Sequence, residues 1–485
     1  MNFSAVEFLV GRIIMVCGFS MLFPVLLSFF FFESEITSLL FSSALTLIVG
    51  YSMTMHGKDE TTLTNREAIL SVCSSWLMLS FCGSLPYVFS NVLSPFYAIL
   101  ESASGFTTVG ATLITDLSLI PNSVLLWRSM TQWLGGMGII VLFISFLPQY
   151  GSGAINLFNA ELPGPSKERL MPRLSDNALL LWKIYTGMTV IFAFIMYASG
   201  LNPFEAITHS MTSISTGGFS IYNNGIAAFN NPLVELLTML FTILAAGSFY
   251  LYYQFYLRGW KKIFFDVEFR TFILLIISFS LLTSFSLYTA GNYSLSYSLH
   301  NGFFHVISAL TSSGMAITEL DQWPPFCKFI LFMLMFIGGC ATSTAGGLKV
   351  ARLIVLVKLS WSELKRILHP KMITNITMGD KIVDRSSVAS ITRYFFIFSF
   401  VYFVSTLLLT FCGVGFFESL LIMASIIGTA GTDLSFALLP GHHSFAEIND
   451  AGKVIVTICM ILGRLEFFTV LVLLRPEFWR KTRNW

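Results

Sequence analysis

Apolar stretches long enough to cross a membrane recur along the whole chain. A membrane-spanning helix needs about 20 consecutive, mainly apolar residues. Ten stretches meet that requirement, at residues 8–32, 36–55, 68–90, 124–147, 178–199, 231–257, 270–290, 325–357, 394–414 and 452–474. The pattern therefore predicts an all-α, polytopic protein surrounded by membrane lipid.

The first two predicted spans form a hairpin at the N-terminus. The apolar run that begins near residue 8 continues to Phe32 without a small-residue cleavage site, and the second span follows at once. A cleaved signal peptide has a shorter apolar region and such a site. We therefore expect a helical hairpin that is retained, over residues 1–60.

Composition agrees with the membrane assignment and narrows the possible functions. Hydrophobic residues make up 55% of the chain and charged residues only 11%, unlike a soluble domain. The seven cysteines are scattered and include no CxxC pair, so neither disulfides nor a zinc site is indicated. The formal charge of +2 is not gathered into a basic patch, which argues against nucleic acid as a partner.

The basic residues predict the orientation. Five segments on one side of the membrane hold 20 of the 28 Lys and Arg residues, and these are 56–67, 148–177, 258–270, 358–393 and 475–485. The positive-inside rule places such segments in the cytoplasm, and both termini with them. The opposite loops carry mainly carboxylates, namely Glu33, Glu35, Asp116, Glu319, Asp321, Asp433, Glu447 and Asp450.

Four segments on the outer side are too apolar for ordinary loops and too short to cross. They begin near Pro95, Pro203, Asn301 and Phe416. They end in four similar strings: Thr107, Thr108, Val109 and Gly110 (string 1); Ser215, Thr216, Gly217 and Gly218 (string 2); Thr311, Ser312, Ser313 and Gly314 (string 3); Gly428, Thr429, Ala430 and Gly431 (string 4). Each string has a hydroxyl residue two positions before its last glycine.

These final glycines are 108, 96 and 117 residues apart. The spacing indicates a unit of helix, half-helix, short extended strand and helix that occurs four times. We assign repeats 1 to 4 to residues 61–150, 151–262, 263–370 and 371–485. A single string would more simply be a helix break or a packing glycine, but four aligned copies favour a common role.

The repeated unit predicts a pore. A half-helix of about 12 residues descends about 18 Å and stops near the middle of the membrane. Extended backbone at that depth is tolerated only where it lines a water-filled cavity. Rings of carbonyls can there replace the hydration shell of an ion, and the C-terminal ends of the half-helices favour a cation. We expect a pore for a monovalent cation, built around strings 1 to 4.

A glycine-rich segment, residues 338–347, interrupts the predicted span 325–357. The span is too long for one crossing, and the interruption would lie halfway down, below string 3. This pattern predicts a broken helix that faces the pore cavity. Alternatively, its small residues serve only close helix packing.

Arg464 is the second candidate for a functional element below the strings. It lies about 12 residues, and therefore about 18 Å, into the last span. An intramembrane arginine is a functional hypothesis by default. Its positive charge would act as a barrier to cations. The alternative is a structural salt bridge or a cap on carbonyl groups.

Three of the four residues nine positions before the string glycines are ionisable. They are Glu101, His209 and His305, and Ile422 takes the fourth place. These side chains could sense protons or brace the half-helices from behind. A metal site is the poorest interpretation, because His300 and His305 are five residues apart and do not share a helical face.

The chain has no visible enzyme motif. It contains no GxxxxGK[ST], HExxH or GxSxG sequence, so neither nucleotide hydrolysis nor proteolysis has a recognisable site. We expect a transport protein without a cofactor of its own.

Further motifs stand beside the four strings, at Trp133–Gly138, Glu161–Pro165, Gly338–Lys349 and Gly463–Glu466. With the strings they make the whole chain resemble the TrkH-type branch of the Trk/Ktr/HKT potassium transporter superfamily. The resemblance implies potassium uptake across the bacterial inner membrane, potassium-binding residues in strings 1 to 4, and a homodimer with one pore per subunit. It also implies a cytoplasmic, nucleotide-binding regulatory partner of the TrkA type.

The resemblance further implies that the glycine-rich segment is an intramembrane gate. The gating residues would be Gly338, Gly339, Gly346, Gly347 and Arg464. A sodium- or proton-coupled potassium symporter is the alternative to a gated channel.

The chain departs from the family pattern at two places. String 4 has Gly428, and Thr432 follows it, where the family commonly has asparagine and a glycine or proline. We expect an irregular carbonyl ring there. The glycine-rich segment has Thr342 and Ala345 where the family often has more glycine.

Overall fold

The fold was analysed in a computed structural model. It describes residues 1–58, 63–138, 141, 174–259, 266–291, 293–372, 375–379, 381–439, 444–465 and 467–480. Almost all of the regular structure in these ranges is helical, and the one exception is a short ladder between Thr377–Met378 and Lys381–Ile382. The predicted all-α, polytopic fold is confirmed.

The α-helices are Phe3–Ser20, Leu22–Phe30, Ile36–His56, Asn65–Gly83, Leu85–Phe89, Pro95–Thr107, Asn122–Gly136, Leu174–Ala198, Pro203–Ile214, Pro232–Ala246, Phe249–Arg258, Val267–Thr289, Leu295–Leu310, Pro325–Leu334, Val350–Leu368, Arg385–Phe411, Phe416–Ile427, Thr432–Ala437, Asp450–Arg464, Phe467–Leu471 and Pro476–Trp479. Short 3-10 helices occupy Leu117–Leu119, Gly225–Phe229, Phe445–Glu447 and Val472–Leu474.

Six helical stretches within the described ranges are long and apolar enough to cross a membrane. They are Phe3–Phe30, Ile36–His56, Asn65–Phe89, Asp176–Ala198, Val267–Thr289 and Arg385–Phe411. Each coincides with a predicted span. The span predicted at 124–147 begins as the helix Asn122–Gly136, and most of its second half lies outside the described residues.

Two spans predicted as single helices are bent pairs instead. Pro232–Ala246 and the helix that follows it meet at an angle of 91°, and Asp450–Arg464 meets the next helical stretch at 114°. Both pairs fall within the spans predicted at 231–257 and 452–474, and their bends were not predicted. In contrast, the break predicted within 325–357 is present, because helix ends at Leu334 and resumes at Val350.

Four short helices match the predicted descending segments. We call Pro95–Thr107, Pro203–Ile214, Leu295–Leu310 and Phe416–Ile427 half-helices 1 to 4. The third begins at Leu295 and not near Asn301, because the Ser294 side chain accepts a hydrogen bond from the backbone N–H of Tyr297 at 3.2 Å and caps the helix earlier.

The repeat boundaries predicted at 60/61, 150/151 and 262/263 lie outside the described residues. The boundary at 370/371 falls shortly after the helix Val350–Leu368 ends. The repeats therefore remain a prediction from spacing, supported by the recurrence of one half-helix in each.

The N-terminal hairpin packs closely against itself and against repeat 1. A Cβ atom added to Gly50 would lie 2.8 Å from the carbonyl oxygen of Gly11, so the two helices touch backbone to backbone. At the outer end of the hairpin, the Glu33 carboxylate accepts hydrogen bonds from the N–H groups of Asn122 and Ser123, at 2.8 and 3.1 Å. It thereby caps the second long helix of repeat 1.

This packing predicts the effect of bulk at Gly50. In a Gly50→Val variant the side chain must push the two helices apart, which we expect to lower the free energy of unfolding by about 1 to 3 kcal/mol. Thermal unfolding in detergent measures the change. Gly187→Val is the matched control, since a Cβ added to Gly187 meets nothing within 4 Å. Equal stability of both variants would contradict the close packing.

Candidate functional site

Each half-helix ends with the same pair of backbone hydrogen bonds. The residue before the string glycine donates to the carbonyl five positions earlier, as Val109 to Ser104 (3.2 Å), Gly217 to Thr212 (3.0 Å), Ser313 to Ser308 (3.1 Å) and Ala430 to Ser425 (2.7 Å). The preceding hydroxyl residue donates to the carbonyl three positions earlier. This pair defines a Schellman ending. The four strings therefore leave their helices in the same way.

The hydroxyl residue of each string adopts a left-handed backbone conformation. The φ angles are 59° at Thr108, 52° at Thr216, 55° at Ser312 and 48° at Thr429. This position normally holds glycine or asparagine, and a β-branched residue there is an outlier that costs on the order of 1 to 3 kcal/mol. Such strain concentrates at functional sites.

The string glycines are left-handed too, with φ of 79° at Gly110 and Gly218, 64° at Gly314 and 73° at Gly431. The residue between hydroxyl and glycine has negative φ in every string. Because positive and negative φ angles alternate along the string, successive carbonyl groups point toward the same side of the chain. Each string can therefore present a row of oxygen atoms to one line.

The strings stand side by side in chain order. A Cβ atom added to Gly110 would lie 2.4 Å from the carbonyl oxygen of Gly217 in string 2. The corresponding distances are 2.2 Å from Gly218 to Ser313 and 2.2 Å from Gly314 to Ala430. Repeat 4 also contacts repeat 1, because the last long helix, Asp450–Arg464, packs against half-helix 1.

String 4 differs from the other three. After Gly431 the chain turns directly into the helix Thr432–Ala437, where the other repeats have irregular chain. The N–H of Leu434 donates to the carbonyl of Gly314 at 2.9 Å. A Cβ atom on Gly431 would meet the Gly314 Cα at 2.5 Å. String 4 and the helix after it therefore pack directly against string 3, at the place where the sequence departs from the family pattern.

The glycine-rich segment docks into the bend of repeat 2. The N–H of Cys340 donates to the carbonyl of Ala246 at 2.8 Å, and the N–H of Phe249 donates to the carbonyl of Thr342 at 3.1 Å. The Thr344 hydroxyl donates to the carbonyl of Ala245 at 3.1 Å. Two interrupted helices thus satisfy each other's backbone.

The same segment touches strings 3 and 4 directly. The N–H of Gly346 donates to the Ser312 hydroxyl at 2.9 Å. A Cβ atom on Gly346 would lie 1.6 Å from the Thr429 hydroxyl oxygen. At its ends the segment closes on itself, because a Cβ atom on Gly347 would lie 2.9 Å from the Gly338 Cα. The segment is thus a loop with a narrow neck, lying against the strings.

Arg464 ends the helix Asp450–Arg464 and reaches toward the same place. Its guanidinium donates to the carbonyls of Gly135 and Gly136 at 2.5 and 2.6 Å. Longer contacts of 3.4 Å join it to the Thr344 carbonyl and the Thr108 hydroxyl. These contacts match the carbonyl cap that the sequence left open, and they also put a positive charge beside string 1. Glu466 lies outside the described residues, as does the motif Glu161–Pro165.

The residues nine positions before the string glycines have different partners. Glu101 forms an ion pair with Arg128 at 2.9 Å, His209 bonds to Thr238, and His305 contacts the backbone on both sides of its ring. His300 pairs with Glu235 instead. Within the described ranges, no group of three His, Cys, Asp or Glu side chains could hold a metal ion.

One carboxylate ties the chain after string 1 to the chain after string 2. The Asp116 carboxylate accepts a hydrogen bond from the Asn223 amide at 2.9 Å, and the N–H of Leu117 donates to the Asn223 oxygen at 2.8 Å. Hydrogen bonds from Ser118 and Asn223 hold the pKa of Asp116 below its ordinary value. The Asp116 carboxylate therefore keeps its negative charge at neutral pH.

Sequence reasoning missed three features of this site, namely Arg128, Gln132 and the bend at Gly247. Arg128 is a charged residue within the predicted span 124–147, so the rule that singled out Arg464 would have found it. Gln132, one helical turn later, gave no such signal. The bend at Gly247 was missed as well, although a glycine in mid-span was visible.

The fold and these contacts define a polytopic membrane protein in which four half-helices converge on four strings of oxygen-bearing backbone. The chain belongs to the TrkH family of cation transport proteins, whose family model matches residues 36–481. The resemblance inferred from the motifs is confirmed, and the family transports ions without catalysing a reaction.

Relatives match over nearly their full length. The Trk system potassium uptake protein TrkH of Halomonas elongata is 33% identical, over 98% of each chain. The protein of the same name from Escherichia coli K12 is also 33% identical, over 99% of this chain and 100% of its own. The crystal structure of the potassium transporter TrkH from Vibrio parahaemolyticus superposes with a TM-score of 0.89 at 30% identity, covering 99% of this chain and 100% of that one.

The close approach of strings 3 and 4 predicts the effect of a methyl group at Gly314. In Gly314→Ala the Cβ meets the Ala430 oxygen, so we expect cation flux per folded molecule to fall at least about tenfold as the carbonyl is displaced. Flux into proteoliposomes, divided by folded protein, measures it. Gly413→Ala is the matched control, because Gly413 also has positive φ but nothing within 4 Å. Equal flux in both variants would remove Gly314 from the pathway.

Proposed function

We propose that this protein mediates potassium uptake across the bacterial inner membrane through a gated, potassium-selective pore. The observation that carries the proposal is the fourfold recurrence of a left-handed hydroxyl residue and a left-handed glycine at the end of a half-helix. The relatives named potassium uptake proteins extend over the same length of chain. Potassium is the transported ion in this proposal.

Potassium binding follows from the oxygen atoms of strings 1 to 4. A potassium ion that enters the strings exchanges its hydration water for backbone carbonyls and for the hydroxyls of Thr108, Thr216, Ser312 and Thr429. The C-terminal ends of the half-helices add partial negative charge at the same place. Both effects stabilise a cation and do not stabilise an anion.

The gate consists of the glycine-rich segment and Arg464. The segment lies against strings 3 and 4, while the Arg464 guanidinium lies beside string 1. A fixed positive charge at this depth repels a cation that leaves the strings. The gate opens when the segment withdraws from the Ser312 hydroxyl and Arg464 turns away with it.

Control of the gate comes from the cytoplasm in this proposal. The helix Val350–Leu368 begins three residues after the glycine-rich segment and runs into a basic region that includes Lys358, Lys365 and Arg366. With both termini cytoplasmic, this region faces a soluble, nucleotide-binding partner of the TrkA type. The working unit is a homodimer with one pore in each subunit.

The function is tested by growth and by current. We expect the chain to restore growth of an uptake-deficient bacterium in low potassium. In liposomes, the reversal potential should follow the potassium gradient and ignore an added sodium or proton gradient. A reversal potential that moves with either added gradient would instead identify a coupled symporter. Absence of both growth and potassium current, with folded protein in the membrane, would contradict the proposal.

The gate is tested by shortening its loop. Because Gly338 and Gly347 already lie in contact, removing residues 339–346 leaves ends that can join. We expect basal flux per folded molecule to rise at least about tenfold, since the barrier to cations is lowered. Arg464→Ala should also raise flux, and Arg464→Lys, which keeps the charge, should not. Loss of folded protein without a gain in flux per molecule would make both elements structural.

A further inference from the structure

In repeats 1 and 3, a side chain of the half-helix bonds to the chain that leaves the string. In repeat 1 the Glu101 carboxylate accepts a hydrogen bond from the N–H of Leu113 at 2.7 Å. In repeat 3 the N–H of Ile317 points at Nε2 of His305 at 3.4 Å. Both acceptors lie nine positions before the string glycine, and both amides lie three positions after it. The side chain therefore ties the chain leaving the string back to the half-helix that entered it.

The protonation of His305 fits this role. Its Nδ1 lies 2.8 Å from the carbonyl oxygen of Asn301, which can only accept. Nδ1 therefore carries the hydrogen, and Nε2 is left as an acceptor toward Ile317. The ring is buried and packs edge-on against Trp323, so its orientation is fixed.

His209, at the same position of repeat 2, has a different hydrogen-bond partner. Its Nε2 lies 2.8 Å from the Thr238 hydroxyl, which donates its own hydrogen to the carbonyl of Val234. Nε2 is therefore a donor, and the bond leads to the helix Pro232–Ala246. None of the hydrogen bonds seen for His209 within the described ranges reaches string 2 or the chain after it.

String 2 is held from repeat 1 instead. The Gln132 side chain donates to the carbonyl of Gly217 at 2.7 Å and accepts from the N–H of Phe219 at 3.1 Å. One turn earlier on the same helix, Arg128 donates to the carbonyl of Ser220 at 2.6 Å. The Arg128 guanidinium also lies 3.5 Å from the centre of the Phe219 ring.

Arg128 joins these contacts to those of repeat 1. Its Nε donates to Glu101 at 2.9 Å, and the two side chains are 3% and 0% exposed. A buried pair of this kind is strongly destabilised when one partner is removed. The Glu101–Arg128 pair thus joins the chain after string 1 to the chain after string 2, and Gln132 holds string 2 from the same helix as Arg128.

Repeat 4 differs at this position. Ile422 occupies it and offers no hydrogen-bonding side chain. Among the described residues, the Thr429 hydroxyl has no hydrogen-bond partner. The chain after string 4 is held by the bond from Leu434 to Gly314 in string 3, and by a contact of 3.4 Å between the Ser425 and Ser435 hydroxyls. Support thus differs between repeats, with side-chain braces behind strings 1 to 3 and an apolar residue behind string 4.

We propose that Glu101, Arg128, Gln132 and His305 are positioning residues that set the width of the strings and hence the preference for potassium over sodium. The inference rests on the proposed function. Carbonyls held at a fixed separation suit a larger dehydrated cation, whereas strings that are free to approach each other also coordinate a smaller one. The hydrogen bonds of these four side chains keep the carbonyls of strings 1 to 3 at that separation.

The two histidines provide a matched test. His305→Phe and His209→Phe both remove a buried imidazole and keep an aromatic ring at the same register. The sodium-to-potassium permeability ratio is measured from reversal potentials under bi-ionic conditions. We expect His305→Phe to raise the ratio at least about fivefold, a change of about 1 kcal/mol, and His209→Phe to leave it within about twofold of wild type.

Gln132→Leu is the second variant, because leucine keeps the volume but loses both hydrogen bonds to string 2. We expect the permeability ratio to rise as in His305→Phe, in protein whose yield and thermal midpoint are recorded alongside. An unchanged ratio in folded His305→Phe and Gln132→Leu would overturn the proposal. An equal rise in His209→Phe would do so too, because it would show general destabilisation. Wild type without any potassium preference would refute the proposed function itself.

Discussion

Backbone hydrogen bonds at the middle of the membrane are the constraint on which the structure depends. Lipid offers no donor or acceptor, so chain that leaves helical conformation there must find partners within the protein. The bend after Ala246 and the glycine-rich segment solve this problem for each other, through bonds such as that from Cys340 to Ala246 at 2.8 Å. Each interruption is possible because the other exists. Movement of either one therefore requires new hydrogen-bond partners, such as water in a cavity, for the polar groups of the other.

The strings meet the same constraint in a second way. Their first amide groups turn back onto the half-helix in a Schellman ending, which satisfies these donors within the protein. The left-handed conformation that this ending requires falls on Thr108, Thr216, Ser312 and Thr429. A hydroxyl at this position adds an oxygen to the row at the cost of backbone strain. The helix end, the strain and the oxygen row are thus parts of one local arrangement.

The sequence revealed these elements to the extent that they depend on local chain. String glycines, the existence of four half-helices and the interruption at 338–347 are properties of short stretches and were predicted, although half-helix 3 begins at Leu295 and not near Asn301. The bend at Gly247 was not, because its partner segment lies about 90 residues away and glycine alone does not require a bend. The different tautomers of His209 and His305 were likewise beyond prediction, since the partners of His209 include Thr238 on another helix. Arg128 was predictable from charge in a span.

The irregular fourth string illustrates a consequence of building four units into one polypeptide. In a ring of identical subunits every substitution is copied to all positions, so a change tolerated at one place must be tolerated at four. Here the helix Thr432–Ala437 and the apolar Ile422 occur once. Mutation can therefore adjust one quarter of the wall while the other three keep their geometry. A single chain with four similar strings thus has a degree of freedom that rotational symmetry denies to a tetramer.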